Sequence, residues 1–126
     1  MKLVIAGSRD YSFKHTEISQ FLEYFGIHPY SITQVVSGTA KGVDTSGEEF
    51  ANVYISDKPD HLKKFPPEKD KYGTRAFHIR NNKMAVHGDA LLLIWDGKSA
   101  GSSHMKDAMI KLKKPIYEII IRRHNA

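Results

Sequence analysis

The residues best suited to chemistry fall in three stretches. SGTAKGVD, residues 37–44, sets Gly38 and Gly42 among Ser37, Thr39 and Lys41 and ends on Asp44, just before an expected helix. Glycine lets the backbone turn tightly and approach a ligand. A helix N-terminus adds unpaired N–H groups and partial positive charge, a setting that favours phosphate. WDGKSAGSSHM, residues 95–105, repeats the pattern with Gly97, Gly101, Ser99, Ser102 and Ser103. The third stretch is GTRAFHIRNNKM, residues 73–84. At about 100° per residue, Ala76, Phe77, Ile79, Met84 and Val86 spread over one apolar arc, and Arg80 falls near its middle. An arginine on an inward face needs a partner, because an unpaired buried charge is costly. Two readings follow: an ion pair with Asp44 or Asp89, or a grip on phosphate in a cleft. Asn81, next to it, is placed to orient a ribose or base.

A fourth stretch, GSRDY, offers Gly7, Ser8, Arg9, Asp10 and Tyr11 for contact with phosphate, sugar and base. Neither loop is a P-loop or a G-x-G-x-x-G fingerprint, since both spacings are absent. Taken alone, residues 37–44 also read as an ordinary turn in which Asp44 or Thr45 caps the next helix. The seven histidines show no metal-ligand spacing, so no metal is expected, and no Ser-His-Asp arrangement is evident. The absence of cysteine removes disulfides and thiolate sites. No cofactor is expected.

The elements that must position these residues alternate. Strands are expected at residues 2–6, 31–36, 61–65, 89–95 and 115–121, the run ALLLIW being the strongest. Helices are expected at residues 13–25, 45–56, 75–86 and 101–113, with Gly26 ending the first. Thr45 and Glu48 make a capping-box pattern for the second, and EKDKYGT reads as a polar loop. The order β-α-β-α-β-α-β-α-β implies an α/β fold: a doubly wound, Rossmann-like three-layer arrangement with a central, mostly parallel sheet of about five strands. Residues 1–126 form one domain on this reading. In open sheets of this type, ligands bind outside the carboxyl ends of the strands. Residues 7–10, 37–44, 66–74 and 96–103 all belong to that edge.

Composition sets outer bounds. The chain is 40% hydrophobic and 26% charged, with a net charge of +5. No apolar run approaches the roughly 20 residues of a membrane helix, and the opening MKLVIAG is too short in apolar run for a signal peptide. A cytoplasmic protein without membrane contact is therefore expected. Its positive charge suits nucleic acid, nucleotides or other anions, or serves solubility alone. The basic residues are scattered, with small clusters at Lys63-Lys64, 111–114 and Arg122-Arg123, and no basic stripe interleaved with aromatics is apparent.

Together, VIAGSRDY, VVSGTAKGVDTSGEEFA, YGTRAFHIRNNKMAVHGDALLLIWDGKSAGSSHMKDA and KKPIYEI resemble the SLOG superfamily. That superfamily unites DprA-like DNA-processing proteins with the Lonely Guy phosphoribohydrolases. The nearest subgroup is the small, stand-alone YspA-like proteins of bacteria and phages. The resemblance covers nearly the whole chain and implies a nucleotide site and a homo-oligomer. By it, Arg80 stands where the hydrolase branch has an arginine, and residues 97–102 resemble its phosphate loop, with Ser102 replacing a threonine. That branch then places a glutamate two to three positions on, where this chain has His104 and Met105, and Asp107 lies almost a turn further. A carboxylate beside the sugar stabilises the oxocarbenium-like state of N-glycosidic cleavage and can activate water. A neutral histidine does not offset that charge.

Three functions follow in order. The first is binding of a nucleotide or nucleotide-derived ligand in a sensing, sequestering or regulatory role. The second is a nucleoside-5′-monophosphate N-glycosidase using Arg80 and His104, with Asp10 or Asp44. The third is a DprA-like protein that binds single-stranded DNA.

Overall fold

A computed structural model describes residues 1–122. Arg123 of the last basic pair lies outside the described residues. Five parallel strands, β1 (Lys2–Gly7), β2 (Gln34–Ser37), β3 (Leu62–Lys64), β4 (Ala90–Trp95) and β5 (Ile116–Ile120), line up in the order β3-β2-β1-β4-β5. The register runs Leu3 beside Val35 on one flank and Leu3 beside Ala90 on the other. Helices α1 (His15–Tyr24) and α2 (Val43–Tyr54) cover one face, and α4 (Ala76–His87) and α5 (Ala100–Lys111) the other. This is the Rossmann-like, doubly wound three-layer fold that the alternation implied.

Side-chain alternation along the strands divides the core in two. Leu3, Ile5, Val35, Leu92 and Ile94 pack under Ile18, Leu22, Val43 and Phe50. Val4, Ala6, Val36, Leu91, Leu93 and Trp95 meet Met84, Ala85, Met105 and Met109. Because both faces are covered, the central strands are apolar throughout instead of alternating with polar residues.

Local chemistry changes three of the expected elements and one expected cap. The second strand starts at Gln34 instead of residue 31, because Pro29 starts a 3-10 turn over Pro29–Ser31 in which Ser31 Oγ donates to His28 O at 2.6 Å. The α2 helix begins at Val43 instead of residue 45, after Gly42 with φ 81°. A Cβ at Gly42 would lie 2.5 Å from Ser8 O, so the left-handed backbone and the close approach both require glycine. The Thr45–Glu48 capping box therefore does not form: Thr45 Oγ1 donates to Ala40 O at 3.0 Å, and Glu48 accepts from Ser37 Oγ at 2.6 Å. EKDKYGT is not all loop, since it contains a short helix α3 (Lys69–Tyr72) and leads into a 3-10 turn at Gly73–Arg75.

Two lysines close the far end of the molecule. Lys114 Nζ donates to Ala85 O, Val86 O and Gly88 O at 2.8, 2.9 and 2.7 Å, satisfying carbonyls at the end of α4. Lys58 Nζ does the same for Tyr30 O and Ile32 O. Among the described residues, no helix is long and apolar enough to cross a membrane.

Candidate functional site

The strand order reverses between β1 and β4, and a cleft of about 280 Å³ opens there at the carboxyl ends of the strands. Open α/β sheets place their ligand crevice at such a switch point. Of the residues singled out in the sequence, Gly7, Arg9, Asp44, Arg80, Asn81, Ser99, Gly101 and Ser102 line it. Gly38, Thr39 and Lys41 line an adjoining hollow that shares Arg9, Phe77 and Arg80 with the cleft.

Arg80 forms the back wall and is buried. Its Nη1 donates to Gly38 O, and its Nε donates to Asn81 Oδ1 at 2.9 Å. Neither expected ion pair forms. Asp89 sits at the opposite end of the sheet, where it accepts from the Lys2 N–H at 2.7 Å. Asp44 is near, yet no carboxylate oxygen of the described residues comes within 4.0 Å of the guanidinium nitrogens. Burial lowers the Arg80 pKa and Asp44 opposes that effect; an arginine nonetheless stays protonated. Its charge is thus held in the cleft without a contact counter-ion.

Gly38 makes this arrangement possible. A Cβ there would lie 2.6 Å from Arg80 Nη1 and 2.9 Å from Asp44 Oδ2. The following residue, Thr39, has φ 67°, an unfavourable conformation for a β-branched residue. Its N–H donates to Ser37 Oγ at 3.1 Å, which helps hold the loop. Strain of this sort gathers at ligand-binding loops.

The opposite wall is the first turn of α5. Asp96 Oδ1 accepts from the N–H groups of Lys98 and Ser99 at 2.9 and 3.0 Å, pinning the loop that feeds the helix. Those bonds also hold the Asp96 carboxyl below its ordinary pKa. Ala100, Gly101 and Ser102 then present the unpaired end of the helix to the cleft. Asn81 links the walls: its Oδ1 accepts from Arg80, while its Nδ2 lies 3.2 Å from His104 Nδ1 and 3.4 Å from Gly101 O. Both ends of this side chain are therefore engaged in tying the two walls together.

Other candidates fall elsewhere. Asp10 and Gly97 line a separate hollow with Tyr11, Asp96 and Arg122. Ser37 is buried and turned to Glu48, and Ser103 is on α5, its N–H bonded to Ser99 O. Ser8 is buried beneath the loop, and its Oγ makes no hydrogen bond. His104 does not line the cleft; it stacks on His78, with ring centroids 4.0 Å apart and planes at 9°. Burial, then the neighbouring His78 and Lys111, hold His104 below the ordinary histidine pKa. It is Met105, not His104, that reaches the cleft.

Sequence reasoning missed Phe77 and His78, which also line the cleft. Arg9, Lys69 and Arg80 lie 5.7, 5.3 and 5.7 Å from the Phe77 ring centroid. Further out, Lys63 approaches Phe65 at 5.6 Å, and Lys71 and Lys83 approach Tyr72 at 5.1 and 5.7 Å. Basic and aromatic side chains are thus interleaved after all. They come from the loop after β1, from β3, α3 and α4 and the segments beside them, so no stripe appears along the chain. Among the described residues, no group of three or more histidine, aspartate or glutamate side chains is arranged to hold a metal.

The fold and cleft define a Rossmann-like α/β protein with a basic site at the switch point. No protein-family model matches the chain, and no curated protein matches it. Among solved structures it is similar to DNA processing protein A from Helicobacter pylori, described for its single-stranded DNA binding mode. The TM-score is 0.63 over 99% of this chain and 67% of that one, at 18% sequence identity, a likeness of fold.

Proposed function

We propose that the protein binds a nucleotide or nucleotide-derived ligand, its phosphate held between Arg80 and the first turn of α5. The observation that carries this reading is a buried arginine facing a cleft with no carboxylate in contact, opposite an unpaired helix N-terminus. A bound phosphate would supply the missing counter-charge and accept from the free amides. Phe77 offers a face for a base. Membership of the SLOG superfamily and its YspA-like subgroup belongs to the same proposal, and so does self-association. The N-glycosidase reading is weaker, because His104 stands outside the cleft and Met105 takes its place there, leaving Asp44 as the one acid among the described lining residues.

Thermal stabilisation by a panel of nucleotides tests the reading. Wild type should be stabilised by at least one of them and Arg80→Ala by none. Equal stabilisation of both would refute the assignment of the site.

Single-stranded DNA is the second reading, and a specific observation favours it. The cations around Phe77, Tyr72 and Phe65 make successive ring faces flanked by positive charge, as strand-binding surfaces have. The similar Helicobacter protein binds such DNA. Affinity for an oligonucleotide that falls steeply with salt would support it, and flat salt dependence would remove it.

A further inference from the structure

Asp44 supplies the only carboxylate among the described residues lining the cleft, and it is 5% exposed. The Ala40 N–H donates to its Oδ2 at 3.2 Å. From α4, Arg80 attracts it without reaching contact, and Arg9 sets a like charge against that guanidinium. From its own helix Glu48 adds like charge, itself engaged by Ser37 and by Lys64 at the end of β3. Residues 3–7 of β1 and 34–37 of β2 carry no ionisable side chain. The α1 helix brings His15 against Tyr54, at the far end of α2. His78 on α4 lines the cleft and stacks on His104 of α5.

An anion seated against Arg80 would therefore share a desolvated cleft with a second negative charge. Such like charges at close range favour protonation of the weaker acid. We propose that Asp44 is the proton-linked counter-group of this cleft: an oxyanion binds at Arg80 together with uptake of one solvent proton by the Asp44 carboxylate. No covalent bond forms or breaks apart from that O–H. The inference rests on the phosphate reading of the cleft and adds which charge state of the site accepts the ligand. Burial already pushes the Asp44 pKa from 3.8 up to about 6, so the exchange operates close to neutral pH.

Inorganic sulfate is the probe, since its own charge is constant between about pH 5 and about pH 8. At fixed ionic strength, wild-type affinity should fall at least ~10-fold between those limits. Calorimetry near pH 7 in two buffers of different ionisation enthalpy should show proton uptake on binding. Asp44→Asn should bind with no such pH dependence, without proton uptake, and at about pH 8 more tightly than wild type. Arg80→Ala should not bind at either pH. If Asp44→Asn keeps the wild-type pH profile, another group carries the titration and the proposal is overturned, while the phosphate reading survives. If wild type binds no sulfate at about pH 5, the phosphate reading and the proposal fall together.

Discussion

Replacing Asp44 with asparagine should make the protein more stable, although the residue is buried and polar. Desolvation is the largest effect on this carboxyl and outweighs the N–H groups and Arg80 that favour its charged form, leaving a pKa of about 6 against the ordinary 3.8. Below about pH 4 both folded and unfolded chains hold the proton, and the group has no effect. Between about pH 4 and pH 6 the unfolded chain has released its proton and the native one retains it, so stability falls as pH rises. Above pH 6 the penalty is constant, about 3 kcal/mol at ~1.4 kcal/mol per pH unit. Asparagine keeps an oxygen for the N–H groups of Ala40 and Gly7 that favour the carboxylate and carries no charge to desolvate, so most of that penalty should be recovered. For 126 residues this amounts to a Tm rise of about 10 °C near pH 8. The assay is thermal and urea unfolding of both proteins from about pH 4 to about pH 8. Asp44→Asn no more stable than wild type near pH 8, or a gain of equal size near pH 4, would refute the argument.

Gly38→Ala should disturb Arg80 and Asp44, which a Cβ would meet at 2.6 and 2.9 Å; nucleotide stabilisation should be lost while the protein still unfolds cooperatively. Unchanged nucleotide binding would show that the guanidinium need not sit where it does. Thr39→Gly relieves a positive φ, so stability should stay level or rise by up to about 1 kcal/mol, measured by urea unfolding. Lys114→Met should lose about 1–3 kcal/mol, because three carbonyls lose a charged donor, without weakening ligand affinity relative to the folded fraction. Phe77→Ala should weaken oligonucleotide binding by about 1–3 kcal/mol if bases stack there, read by fluorescence anisotropy.

The fold was legible because the central strands are apolar on both faces and the helices carry apolar residues at regular spacing. ALLLIW could belong only to a buried strand once its length and neighbours were considered, and Arg80 on an apolar arc pointed to the cleft. Boundaries were less legible where side chains found distant partners. Glu48 looked like the acid of a capping box, but Ser37 and Lys64 engage it, and neither is near it in sequence. The same limit hid Phe77 and the cations around it, since Arg9 and Phe77 meet only after β1 and α4 are brought to one edge. At the end of WDGKSAGSSHM, helical geometry separates the two neighbours, turning His104 to His78 and Met105 to the cleft.

The strand order has a consequence for synthesis. Strand β1, which precedes the other four in this chain, sits at the centre of the sheet, and its second partner β4 pairs with it from Leu3 beside Ala90 to Gly7 beside Ile94. A nascent chain that has emerged only as far as Lys64 can pair β1, β2 and β3 but leaves one side of β1 open. Val4, Ala6 and Val36 then lack the helices that later shield them. Distant pairings of this kind form slowly, and open apolar edges invite aggregation meanwhile. The partly translated chain should therefore expose this side of β1 until β4 and α5 arrive, and the cleft at the switch point cannot form before them.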